Sequence, residues 1–98
     1  MVNRVVVFAG FKAKKDKAEE LRHELLSLIE TTRAEEGCCS YELHQDLEDH
    51  SSFMFYEEWR SREDLDCHLG TPPLVRLLGL VPELCREPLM VKVTKKLA

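Results

Sequence analysis

The period of the apolar positions changes several times along this chain, and each change marks an element. Residues 2–12 (VNRVVVFAGFK) read as a first strand: Val5, Val7, Ala9 and Phe11 alternate with Val6, Phe8 and Gly10. Both faces are apolar, which predicts a central strand covered on both sides. Gly10 leaves room near the strand end for a bulge or a ligand. From Asp16 the period lengthens to that of a helix. Asp16 and Glu19 resemble a capping box, and Ala18, Leu21, Leu25, Leu28, Ile29 and Thr32 define one face. Gly37 closes the unit after the polar run Arg33 to Glu36.

Alternation returns over 38–46, with Cys39, Tyr41 and Leu43 on one face and Ser40, Glu42 and His44 on the other. Leu47 to Ser52 reads as a polar hairpin loop, and 53–60 as a third strand. In it Phe53, Phe55, Glu57 and Trp59 alternate with Met54, Tyr56, Glu58 and Arg60. Ser61 and Asp64 form an S-x-x-D capping box for a second helix with Leu65, His68 and Leu69 on one face, and Gly70 stops it. Thr71 and Pro72 start a further short helix whose inward face is Leu74, Leu77 and Leu78. Gly79, Pro82 and Pro88 mark an irregular connection. A fourth strand over 88–96 sets Leu89, Val91 and Val93 against Met90, Lys92 and Thr94.

The order β-α-β-β-α-β predicts an α+β, ferredoxin-like domain: an antiparallel four-stranded sheet with helices on one face. Amphipathic helices cover only that face. The first and third strands are apolar on both, so the other face calls for a partner, and a second sheet is the simplest one. The pattern therefore predicts a homodimer whose sheets face each other. At 98 residues the chain is read as a single domain, 1–98, which buries only about 60–65% of its unfolded surface and gains from pairing.

Composition narrows the classes of function. The net charge is −4, and the densest basic run, Lys12 to Lys17, is broken by Asp16 and flanked by Glu19 and Glu20, which speaks against nucleic acid as a partner. No apolar run approaches the roughly 18–20 residues that cross a bilayer, and the N-terminus lacks the segments of a signal peptide. No membrane partner is expected, and the expected location is cytoplasmic. Cys38, Cys39, Cys67 and Cys85 contain no C-x-x-C pair and read as reduced side chains. Four histidines without regular spacing make no metal site. Neither a phosphate-binding Gly-rich loop nor a nucleophile elbow is present.

Candidate chemistry concentrates in Tyr56 to Pro73 (YEEWRSREDLDCHLGTPP). His68 shares its helix face with Leu65 and Leu69, which would keep an imidazole dry. It reads as a proton carrier or as a half-buried histidine bonded to a backbone carbonyl. Trp59 reads as an aromatic wall for a flat ligand or as a core anchor. Glu57 lies on the same strand face; it orients His68, or it makes a salt bridge or a bond to a helix end. Tyr41 points a hydroxyl into the same space or packs in the sheet with its hydroxyl at the rim. His23, His44 and His50 read as surface residues.

The segment EEGCCSYELHQDLEDHSSFMFYEEWRSREDLDCHLGTPPL resembles the antibiotic biosynthesis monooxygenase family, in which E-G-C, Y-E-L, a hairpin, E-x-W, a short helix and H-L-x-T-P follow one another. Here these are Glu36-Gly37-Cys38, Tyr41-Glu42-Leu43, Glu57-Glu58-Trp59 and His68-Leu69-Gly70-Thr71-Pro72. The resemblance implies a dimeric α+β barrel with a pocket in each subunit between sheet and helices. Within such a pocket His68 is the candidate catalytic residue, and Trp59, Glu57, Tyr41 and Leu65 are the candidate substrate-binding residues. The implied reaction is oxygenation of a phenolic or quinol-type small molecule with no metal and no cofactor. Isomerisation of a small phosphorylated dicarbonyl is the alternative; it would need a cation such as Lys12, Arg62 or Arg76. A non-catalytic, ligand-binding or stress-associated dimer is the third. The haem-degrading branch places an Asn on strand one, a Trp near the end of the second helix and a haem-binding His one helix later. The matching places here are Ala9 or Gly10, then His68, then Leu78, and none fits.

Overall fold

The computed structural model describes residues 4–98. Val2 and Asn3, assigned to the first strand by pattern, lie outside the described residues. The elements are β1 (Val5–Lys12), α1 (Ala18–Leu26), α2 (Ile29–Arg33), β2 (Cys38–Gln45), β3 (Ser52–Trp59), α3 (Arg62–Leu69), α4 (Pro72–Leu84) and β4 (Met90–Lys95). The strands form one antiparallel sheet in the order β2-β3-β1-β4, the ferredoxin-like arrangement. β1 is central, as its two apolar faces require.

The register places Val7, Glu57 and Tyr41 in one row across the sheet, with Val93 on the far side of Val7. The next row on the same face holds Leu43, Phe55, Ala9 and Val91. This face carries the core, and Leu21, Leu25, Leu65, Leu74, Leu77 and Leu84 cover it from the helices. The opposite face leaves Phe8, Met54 and Met90 at 37%, 42% and 37% exposure. Three large apolar side chains on an uncovered sheet face match the sequence expectation of an unpartnered surface.

Four local features depart from the pattern. The first helix is interrupted: Ser27 donates its hydroxyl to the Glu24 carbonyl, and the Leu28 N–H bonds to Leu25, so a tight turn separates α1 from α2. A serine hydroxyl that competes for backbone in this way commonly perturbs a helix. The spacing of Leu21, Leu25, Leu28 and Thr32 survives, and all four are buried. Asp16 is not part of a capping box: it adopts φ +69, and Lys17 occupies the N-cap with no side-chain bond. A residue in that left-handed conformation turns the chain into the helix and cannot aim its carboxylate at the first turn.

The other two concern β2 and α4. A bulge between Cys38 and Ser40 puts Cys38, not Cys39, opposite Trp59 on the covered face, and leaves Cys39 exposed. α4 runs through Gly79 and Pro82, where an irregular connection was expected. Pro82 sits in the last turn, where one missing hydrogen bond is tolerated because Leu74, Leu77 and Leu84 hold the helix to the core.

Gly37 fixes how the two halves meet. Its φ is +88, and a Cβ there would lie 2.6 Å from Cβ of Asp64, the residue that completes the α3 cap. Its carbonyl accepts the Arg60 N–H at 2.8 Å. Gly37→Ala therefore forces an unfavourable backbone and a collision together. We expect a loss of about 2–4 kcal/mol in urea unfolding; a loss under about 0.5 kcal/mol would show that neither effect operates.

Candidate functional site

His68 reaches the covered face because α3 starts at a defined point. Ser61 is the N-cap: its hydroxyl oxygen accepts the Asp64 N–H at 3.1 Å and its O–H donates to Asp64 Oδ2 at 2.8 Å, the S-x-x-D box read in the sequence. From that start Leu65 and His68 fall on the inward stripe. Thr71 occupies the N-cap position of α4 but does not cap with its side chain. Its hydroxyl and its N–H both donate to the His68 carbonyl, at 2.9 and 3.1 Å. His68 is thus held at its backbone as well as at its ring, and is only 2% exposed.

The ring sits in a cluster. The Trp59 ring lies 4.6 Å away, tilted by 31°, and the Tyr41 ring packs edge-on at 5.6 Å. Tyr41 in turn stacks on Phe55 at 4.6 Å. Nδ1 of His68 lies 3.1 Å from each carboxylate oxygen of Glu35. Toward an ionised carboxylate, which only accepts, Nδ1–H is the donor. His68 is also one of the residues that line the neighbouring cavity.

Glu57 does not orient His68 through a hydrogen bond, the role considered from sequence. Its Oε1 accepts the Trp59 Nε1–H at 2.9 Å. Burial pushes its carboxyl above the ordinary value; the Trp59 bond and His68 oppose that rise, and Glu35 adds to it. Burial also pushes the Tyr41 phenol well up, with Glu57 contributing, while a bond with the Thr32 hydroxyl works the other way. Glu57 and Tyr41 are thereby biased toward their neutral, proton-donating forms. Among the described residues no buried side-chain nitrogen or oxygen lacks a partner.

A cavity opens beside this cluster between sheet and helices, with about 60 Å³ open to the centre of a water molecule. Of the residues singled out in the sequence, His68, Glu57, Tyr41 and Leu65 line it. Trp59 does not; fully buried, it stands behind the wall, between His68 and Glu57. The remaining lining is apolar, and the partly exposed Leu69, Leu78, Val91 and Val93 form the mouth. Lys12, Arg62 and Arg76 pair with Glu87, Asp66 and Glu24 instead, and none of the three lines the cavity.

Glu35 is the participant that sequence reasoning missed. It lies in the polar run before Gly37, 33 residues from His68. The turn that aims it is visible only in three dimensions: its N–H bonds to Thr32, its carbonyl accepts from Cys38, and Gly37 takes the left-handed conformation. The nearest signal was the Glu-Gly-Cys motif, which drew the eye to Glu36, an exposed residue paired with Arg60.

The pattern that defines the antibiotic biosynthesis monooxygenases matches residues 4–77. The chain is 38% identical to Rv0793 of Mycobacterium tuberculosis, which bears a provisional monooxygenase name, over 95% of this chain and 91% of that protein. The chain belongs to the antibiotic biosynthesis monooxygenase family. It is also 37% identical to sll1783 of Synechocystis over 93% of its own length, but spans only 62% of that longer protein. The crystal structure of PA3566 from Pseudomonas aeruginosa superposes with a TM-score of 0.93 at 32% identity, covering 100% of this chain and 98% of that one.

The buried carboxyl gives a pH test. Glu57 holds its proton more tightly folded than unfolded. Its contribution to stability is therefore fully present below the ordinary value of 4.5 and is lost as pH rises through the raised folded value. Glu57→Gln keeps an acceptor for Trp59 and cannot ionise. Thermal unfolding should show the variant gaining on the wild type from pH 4.5 upward, with the gap closing in acid. A gap independent of pH would mean that Glu57 is not desolvated.

Proposed function

We propose that the protein is a monooxygenase that acts on a phenolic or quinol-type small molecule without a bound metal or flavin. The observation that carries this reading is a buried histidine that lines an apolar cavity, with Nδ1 held by a carboxylate. Nε2 takes the proton of a ring hydroxyl, and Glu35 balances the imidazolium that forms. The ring anion gives an electron to O2, and the radical pair combines inside the cavity. One oxygen atom enters the ring and the other leaves as water. A quinol ends as a hydroxyquinone, having supplied all four electrons that O2 requires. Substrate electronics carry the hard step; the protein supplies position, deprotonation and exclusion of water through Leu65 and Leu69.

Tyr41, its phenol pushed well up by burial, is suited to donate a hydrogen bond to a developing ring oxyanion, and Glu57 stands beside it in the same row. Trp59 acts by holding the Glu57 carboxyl and the imidazole plane. The phosphorylated-dicarbonyl alternative asks for a cation at the cavity, and the lining offers none among the described residues. Oxygen uptake with a panel of quinols tests the proposal. His68→Ala should lower kcat by about a hundredfold or more, with its circular dichroism unchanged. Unchanged uptake would remove His68 from the mechanism, and no uptake with any quinol would favour a ligand-binding protein.

The homodimer belongs to the same reading. The open sheet face with Phe8, Met54 and Met90 is what a second copy would cover. Light scattering should give twice the 11.4 kDa chain mass; a stable monomer would refute the argument from the sheet face.

A further inference from the structure

The cavity beside His68 has a neighbour. A second, wider groove of about 460 Å³ lies along the last two turns of α4 and the chain leading into β4, and Leu78 and Leu89 line both spaces. Past these two shared side chains the groove is lined by Val81, Pro82, Cys85 and Pro88, with Arg86 and Glu87. The Arg86 guanidinium is tied to the Ala13 carbonyl, Ser51 and Asp49, and Glu87 to Lys12. Neither charge is free to define a polar subsite there.

Polarity along the joined track is one-sided. Tyr41 and Glu57 occupy one row of the sheet, with His68 over them, and among the described residues no other polar side chain lines the cavity. One row further along, about 7 Å away, stand Phe55, Ala9 and Val91, all apolar. From Leu78 to Cys85 the α4 flank adds about 10 Å more of groove.

We infer that the substrate is an amphiphile: a hydroxylated ring seated at Tyr41, Glu57 and His68, bearing an aliphatic tail that passes between Leu78 and Leu89 into the α4 groove. This rests on the proposed reading of the His68 end as the place where the ring binds. Ring hydroxyls at one end lie against the polar row. A flexible chain can pass between the side chains of Leu78 and Leu89, which a flat fused-ring system would have to part further, and its methylenes match a groove with no free charge. The tail subsite supplies binding energy remote from the reacting ring, the kind that positions a small substrate.

Binding distinguishes this from the oxygenation reading, because it needs no turnover. Calorimetric titration of the full chain with 4-methyl-, 4-butyl- and 4-octylphenol should show affinity rising by up to about fourfold per methylene that is fully buried, and by at least tenfold from methyl to octyl. Pro82→Glu restores a helical N–H and puts a charge on the groove floor; it should cut the octyl-to-methyl affinity ratio severalfold. A ratio that Pro82→Glu leaves untouched, affinities independent of tail length, or a tricyclic phenol bound more tightly than octylphenol would each overturn the inference. Tail-dependent binding without oxygen uptake from any alkylquinol would sustain the inference and defeat the monooxygenase reading.

Discussion

Burying three polar side chains in the middle of the covered sheet face is the constraint on which the rest of this structure turns. A carboxyl, an imidazole and a phenol each cost free energy when they leave water, and each needs a partner. Glu57 finds Trp59, His68 finds Glu35, and Tyr41 has the buried Thr32 beside it. Those three pairings draw on β2, β3, α2, α3 and the turn before β2. The site is therefore a property of the whole covered layer, and its polar groups hold the helices in register over the sheet.

The turn around Gly37 is where this layer is closed. It aims Glu35 inward, hands its carbonyl to Arg60, and leaves just enough room for Asp64, which completes the α3 cap. A single left-handed glycine thereby couples the position of the carboxylate to the start of the helix that carries the histidine. The cluster is preorganised by backbone as much as by side chains, which is the condition for an acid–base pair to act without rearrangement.

Much of this was legible in the sequence, for identifiable reasons. Strand alternation and helical spacing are local signals, so the element order, the central β1, the Ser61–Asp64 cap and the inward stripe of Leu65 and His68 could be read directly. Features that depend on competition between neighbours could not. The bulge at Cys38 and Cys39 exchanges the faces of two adjacent cysteines, and alternation alone carries no trace of it. Pro82 reads as a breaker, yet the apolar face of α4 outweighs it. Glu35 was hidden most completely, because a polar residue in a polar run gives no sign that it will meet an imidazole 33 positions later. Glu57 and Trp59 were placed on the right face, but their mutual bond, rather than a carboxylate–imidazole contact, is a choice made by geometry.

The chain contains one tryptophan. It is fully buried, hydrogen-bonded to Glu57 and packed on the ring of His68. All of the indole emission of the protein thus arises from behind the cavity wall, in contact with the two groups whose charge matters most. The molecule carries its own optical reporter: any change in protonation of the imidazole or the carboxyl, or any molecule placed against them, alters the surroundings of one fluorophore with no second tryptophan to dilute the signal.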